Sequence, residues 1–372
     1  MIKRIIEKNI LSDMAYKKVI VLLGARQVGK TTLIDMLQNQ DVKCLRLNCD
    51  DYDDAALLEN KTSTELRAML TGYDMVFIDE AQRVRNIGLT LKKIGDLKLN
   101  TQVIVTGSSS LELSDDICEP ATGRLLEHHI FPLSLRELSE HNSMKEETRL
   151  LEQRLIYGLY PEVVTTPGNA KRMLMTLTNN YLYKDIFAYR GIKKPEILQK
   201  LVRALALQLG SEVSYNELSN LLGIDKETVE NYIGLLEKCF VVFRLESFSR
   251  NLRNEIKKGK KVYFYDNGIR NAVLSNFAPL DARTDAGALW ENLMISERLK
   301  RNAYSNSYAQ MYFWRTHEQK EIDLIEMEDG KMRAFEFKWN SRKQPAAPSQ
   351  FANTYTDSSF EVITPDNFWS FV

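Results

Sequence analysis

Few of this chain's features suggest covalent staples, membrane spans or a net electrostatic field. Its four cysteines, Cys44, Cys49, Cys118 and Cys239, form no CxxC pair and no regular spacing. That excludes a disulfide framework or a cysteine zinc site and fits a reducing cytoplasm. No window approaches the roughly 18 apolar residues of a membrane span, and MIKRIIEKNILSD breaks its apolar pieces with charge too often for a signal-peptide core. A cytoplasmic protein without a membrane partner is expected. Fifty basic and fifty acidic residues cancel, so any nucleic-acid surface must be a local patch. Nine prolines and 17 glycines are too few for a disordered or fibrous chain. The histidines supply no catalytic set: His128 and His129 are adjacent and point to opposite sides of a strand, while His141 and His317 stand alone.

What is present is length and pattern. At 372 residues the chain exceeds one ordinary core, so two or three domains are expected. From Val19 the order is strand (VIVLL), glycine turn, helix (KTTLIDMLQ) and strand (CLRLNCD), followed by the apolar runs DMVFIDE and TQVIVTGSSS. This alternation predicts an α/β fold with a parallel sheet whose ligands bind at the carboxyl ends of its strands. Helices dominate beyond about Leu138. Between Leu201 and Leu245, YNELSNLLGIDKETVENYIGLLEK followed by FVVFRLES has the outline of a winged helix-turn-helix. The last part mixes helix and strand as a small α/β domain. The expected organisation is residues 1–137, a P-loop sheet domain; 138–200, a helical lid; 201–250, a winged helix; and 251–372, the terminal domain. Ser249 to Lys261, with Arg250, Arg253, Lys257, Lys258, Lys260 and Lys261, reads as an exposed basic hairpin or linker.

Gly24-Ala25-Arg26-Gln27-Val28-Gly29-Lys30-Thr31 matches GxxxxGK[ST] in full, between a strand and a helix. The two glycines let the backbone amides turn inward, and the helix that starts near Lys30 adds its dipole. Lys30 would neutralise β- and γ-phosphate oxygens, Thr31 would ligate Mg2+, and Thr32 would pack or support the α-phosphate. Asp79, after four apolar strand residues, is placed to hold the Mg2+ shell, and Glu80 beside it to orient the attacking water. Thr106 and Ser108, at the end of a neighbouring strand, are candidates for reaching the γ-phosphate or that water. Arg124 could project a guanidinium toward the transferring phosphate, within the chain or across a subunit boundary of a homo-oligomer.

GARQVGKTTL, FIDEAQRV, VTGSSSLEL and ATGRLLEHHIFPLSLRE resemble the AAA-type ATPase half of a prokaryotic family of predicted ATPases. The second half of that family is a conserved domain of unassigned function. NNYLYKDI, VYFYDNGIRNAVL, GALWENLMISERL, YFWRTHEQKEIDLI and AFEFKW carry the resemblance onward, from near residue 15 to about residue 340. It implies an ATP-binding, ATP-hydrolysing enzyme with a C-terminal fold similar to restriction endonucleases.

The terminal residues have a pattern of their own. Asp323 lies in one expected strand and Glu336-Phe337-Lys338 in the next, with Glu336 and Lys338 on one face. Two carboxylates near a hairpin can hold Mg2+ beside a lysine, the D…ExK arrangement of restriction-endonuclease-like nucleases, with Glu291 on a preceding helix as a further ligand. The plain alternative is a solvated Glu–Lys pair. Phe313, Trp314 and Trp339 read as core. Two uses of the ATPase stay open: control of a DNA-binding, DNA-cleaving module, or a nucleotide-dependent switch whose nuclease-like fold is inactive and binds a protein partner.

Overall fold

Apolar runs buried on both faces build the centre of the first sheet, as parallel strands require. Its strands are β1 (Val19–Leu23), β2 (Cys44–Asn48), β3 (Met75–Asp79), β4 (Gln102–Gly107) and β5 (Leu125–His129), in the order β2-β3-β4-β1-β5 and all parallel. β1 and β4 are buried along their whole length. The computed structural model describes residues 1–38, 42–107, 123–180, 186, 194–249 and 259–372. Ser108, Cys118, Arg250, Arg253, Lys257 and Lys258 lie outside the described residues.

Because the strands run one way, their carboxyl ends share one edge. Leu23 pairs with Gly107 and Asn48 with Asp79, while β4 lies between β1 and β3. Intervening helices cover the sheet. Ile87–Asp96 buries Ile87, Leu91 and Ile94, one helical face. Ser63–Leu70 starts at a reciprocal cap between Thr62 and Glu65. Along β5, His128 is buried and His129 exposed, as strand alternation requires.

The chain divides into two compact units, Met1–Leu133 with Lys238–Phe240, and Ser134–Glu237 with Val241–Val372. The second unit opens with helices. Two short helices, Met144–Arg149 and Leu151–Tyr157, meet at Leu150. Arg154 donates back across that break to buried Glu147 at 2.9 and 3.0 Å. Helices Tyr215–Leu222 and Lys226–Lys238 flank Gly223, whose φ of 65° needs a glycine-tolerant turn.

A seven-stranded mixed sheet follows. Its strands are β6 (Glu212–Val213), β7 (Val242–Ser247), β8 (Lys260–Phe264), β9 (Gln310–Arg315), β10 (Glu321–Glu328), β11 (Lys331–Phe337) and β12 (Ser359–Ile363), in the order β12-β11-β10-β9-β7-β8-β6. β7, expected as the strand of a winged helix over residues 201–250, pairs antiparallel with β8 and parallel with β9. The sheet therefore crosses the boundary expected at residue 250. Val242, Phe243 and Leu245 of β7 are buried, so this strand is part of the sheet's core.

Lys260 and Lys261 correct a second expectation. They open β8 rather than extending an exposed loop, and Lys261 is 1% exposed. Helix Ala286–Tyr304 is buried along much of its length and sets Trp290 against Trp339 and Phe368, with ring centroids 5.6 and 5.8 Å apart. Trp314 packs with Ile322, Ile325, Ala334 and Phe351, the core role expected of it. No described helix is long and apolar enough to cross a membrane.

Arg298 forms a two-point pair with fully buried Glu326 at 2.9 and 2.5 Å, and Asn302 donates to the same carboxylate at 2.7 Å. Glu326→Ala leaves the buried guanidinium without its carboxylate and should cost about 3–5 kcal/mol. All four tryptophans, Trp290, Trp314, Trp339 and Trp369, belong to the second unit. Tryptophan fluorescence during urea unfolding should therefore show a markedly lower midpoint; an unchanged one would mean that the pair contributes nothing.

Candidate functional site

The glycine turn leaves β1 under two constraints that fix residue type. A Cβ on Gly24 would lie 2.1 Å from the Ile130 carbonyl oxygen, so only glycine fits there. Gly29 caps helix Lys30–Leu37 at φ 93°, a left-handed conformation that glycine tolerates. Gln27 also sits at positive φ, 60°, the local strain typical of functional loops. Ala25 and Val28 are buried and Arg26 half-buried, while Gln27 and Thr32 are exposed.

The Lys30 side chain lies back along the loop, and its ammonium donates to the Gly24 and Ala25 carbonyls, both at 2.9 Å. Burial pulls its pKa from the ordinary 10.5 to about 8, against the opposing fields of Glu80 and Asp79. A cation is thus held inside the cradle, facing carboxylates that arrive from the end of β3.

Asp79 gathers the other elements. Its Oδ2 accepts from the Thr31 hydroxyl at 2.9 Å, and its Oδ1 accepts from the Thr106 hydroxyl and from the Glu80 amide at 3.1 Å. The Glu80 amide also donates to Thr106 Oγ1 at 3.1 Å. Glu80 turns the chain at φ 52° and ψ 41°, and Gln82 donates to its carboxylate. The Asp79 carbonyl accepts from the Cys49 amide at 2.9 Å. Burial, followed by the fields of Asp54 and Asp79, pushes the Cys49 thiol up to about 12, so it stays protonated.

Lys30, Thr31, Asp79, Glu80 and Thr106 are therefore brought to one sheet edge; Ser108 lies outside the described residues. Arg124 is not brought there. Its carbonyl accepts from the Val19 amide at the start of β1, and its side chain pairs with Asp96. Four residue steps along β1 separate that end from the cradle, about 13 Å at roughly 3.3 Å per residue. A position within reach of its own chain's phosphate loop is thus corrected, because β5 runs parallel to β1 and Arg124 precedes it.

Arg4 was not legible as part of this site. It is 4% exposed and donates to the Val28 carbonyl of the cradle and to the Phe131 carbonyl, both at 2.7 Å. Nothing in MIKRII distinguishes this arginine from a surface charge, since its partners lie 24 and 127 residues away. Gln82 escaped for the opposite reason: a glutamine two residues past the acids looks like ordinary turn polarity.

In the second unit, Glu291, Asp323, Glu336 and Lys338 share one neighbourhood. Lys338 donates to Glu336 Oε1 at 2.6 Å, and Asp323 Oδ2 accepts from the Phe337 amide at 2.8 Å. Burial, then the fields of Glu291 and Glu336, pushes Asp323 well above the usual carboxylate range. Lys261 stands among these acids, 3.2 Å from Glu291 Oε1 and paired with Glu321. Tyr263 donates to Glu291 Oε1 at 2.6 Å. The expected metal role of Glu291, Asp323 and Glu336 gains no support from this geometry. Among the described residues, no group of three or more His, Cys, Asp or Glu side chains is disposed to hold a metal ion.

Comparison with known proteins fits the first site. Residues 16–139 match a family model described as an AAA domain, and residues 148–280 and 286–365 each match a domain of unknown function (DUF8612 and DUF4143). An uncharacterised protein of Haemophilus influenzae is 25% identical over 326 residues, covering 82% of this chain and 78% of its own length. One from Methanocaldococcus jannaschii is 23% identical over 402 residues, covering 98% and 88%. A solved Walker-type ATPase of Pyrococcus abyssi superposes with a TM-score of 0.51 at 15% identity, covering 74% of this chain and 96% of that one. The first unit has the fold of an AAA-type P-loop ATPase.

The Lys30 environment yields a direct test. Its folded-state pKa, about 8, lies below the ordinary 10.5, so between those values the unfolded chain binds more protons. The cost of burying the ammonium is present below that window and is relieved as pH rises through it. Side-chain NMR should show one lysine titrating near pH 8, absent in Lys30→Met; titration of every lysine near its ordinary value would contradict the burial described.

Proposed function

We propose that this chain hydrolyses ATP at the Gly24–Thr32 cradle and uses its nucleotide state to switch a nuclease-like second unit that binds rather than cuts. The observation that carries the reading is the convergence of Thr31, Thr106 and the Glu80 amide on Asp79, beside the Lys30 ammonium. Inward amides of the loop and the Lys30 ammonium bind the triphosphate oxygens. Thr31 and Asp79, a hydroxyl and a carboxylate already 2.9 Å apart, are the donor types that would hold Mg2+. The ion, when bound, supplies charge neutralisation on the β- and γ-phosphates. Glu80, steadied by Gln82, orients the attacking water and takes up its proton, while Thr106 fixes Asp79 and the backbone from which Glu80 projects.

Turnover by purified protein tests this directly. Lys30→Ala should lose both ATP binding and hydrolysis. Glu80→Gln should bind ATP normally while its turnover falls about 100-fold or more. Wild-type turnover in Lys30→Ala would remove the site from consideration.

Arg4 acts on the same site as a positioning residue, through the Val28 carbonyl. Its loss should raise KM for ATP by about tenfold, the scale of one or two charged hydrogen bonds, with kcat little changed. Arg4→Lys should recover part of the affinity. A fall in kcat at unchanged KM in Arg4→Met would instead assign Arg4 to the chemistry.

For the second unit, the switch reading is favoured over DNA cleavage. Lys260, expected in an exposed basic hairpin or linker, lies 3.6 Å from Glu230 and 3.9 Å from Glu246, and Lys261 is buried among acids. Glu230 belongs to helix Lys226–Lys238, the candidate DNA-reading helix, whose exposed acids disfavour phosphates. A protein partner or a second copy of the chain is the occupant this chemistry favours. Arg124, remote from its own cradle, could serve ATP turnover only on a neighbouring copy.

A further inference from the structure

The acids of the second unit surround a lysine that no sequence pattern marked. Lys261 sits on β8, held between β7 and β6 with Leu245 and Glu212 as its register partners. An interior strand fixes its backbone, so its side chain starts from a rigid position. The ammonium is 1% exposed, lies 5.4 Å from the Phe313 ring centroid, and is ion-paired with Glu291 and Glu321. Burial alone would lower its pKa, but the fields of Glu291, Glu321 and Asp323 outweigh burial and raise it, so the group stays charged.

The remaining acids are also provided for. Glu336 has Lys338, Glu291 has the Tyr263 hydroxyl, Asp323 has the Phe337 amide, and Arg315 lies 3.7 Å from the second oxygen of Glu321. Four carboxylates face Lys261, Lys338 and Arg315, the last shared with Glu212 at 3.1 Å. A divalent ion entering here would meet an ammonium at close range and carboxylates that already have partners.

We propose that the Lys261 ammonium is the resident cation of this cluster, occupying the place where metal-dependent phosphodiester hydrolysis would require a divalent ion. The inference deepens the reading of the second unit as a module that does not cut, and it is independent of ATP turnover. Lys261 takes the structural role of the metal, holding Glu291 of helix Ala286–Tyr304 against β8 and β10, and supplies no Lewis acid.

The test uses the full chain without nucleotide and Mn2+ as the probe, with bound ion read by electron paramagnetic resonance. The wild type should show no Mn2+ binding that Asp323→Asn removes. Lys261→Met combined with Glu321→Gln deletes the ammonium together with one paired charge and leaves Glu291, Asp323 and Glu336. That variant should gain one Mn2+ per chain, lost again on adding Asp323→Asn. Asp323-dependent Mn2+ binding by the wild type overturns the proposal, as does a double variant with native tryptophan fluorescence that gains no ion. Should the double variant fail to fold, the wild-type comparison with Asp323→Asn decides alone. ATP turnover measured in parallel reports on the first unit, so failure there is separable from failure here.

Discussion

The Asp79 carboxylate is the constraint on which the first unit depends. One oxygen receives the hydroxyl of the helix that follows the glycine turn; the other receives the hydroxyl of β4 and the amide of its own successor, Glu80. Three separate chain segments meet on one side chain. They can do so only because β4 lies between β1 and β3 and all three strands run parallel. The apolar strands contribute the burial that holds the sheet together, whereas the polar chain at their ends decides what the sheet can do.

The second unit relies on a different device, ionic groups placed inside it. Lys300 pairs with Glu297 at 2.7 Å with both side chains buried, and Glu297 also accepts from the Leu135 amide. Asp266 accepts from the Leu159 and Ile269 amides at 2.6 and 3.1 Å, and burial pushes it above the usual carboxylate range. Gly158 makes room for it, since a Cβ there would stand 2.1 Å from the carboxylate. Such groups are weak sources of net stability because desolvation offsets their attraction, but they penalise wrong arrangements heavily. Glu297, Asp266 and Lys261 each join segments far apart in sequence, which suits a unit whose sheet is assembled from distant segments.

The phosphate cradle was legible from sequence because its chemistry is local. Gly24, Gly29, Lys30 and Thr31 lie within one turn, and Asp79 and Glu80 end a strand whose apolar run announces it. The hairpin of Asp323 and Glu336 was legible for the same reason. Position relative to remote strands was not. Lys261 looked like one more lysine in a basic run, yet strand alternation turned it inward among acids that lie 30 to 62 residues later in the chain. Arg124 read as a candidate for the phosphate until the parallel pairing of β5 put it at the far end of the sheet. Arg4 carried no local signal at all, since its acceptors are backbone carbonyls that any residue could present.

The tight approach of Gly24 to Ile130 has a mechanical corollary. Ile130 and Phe131 belong to the tether by which the polypeptide leaves the first unit, a few residues before Ser134 begins the second. That tether abuts the start of the phosphate loop, and Arg4 rivets it to the loop's middle. Any larger residue at position 24 would therefore have to displace this exit segment as well as the loop.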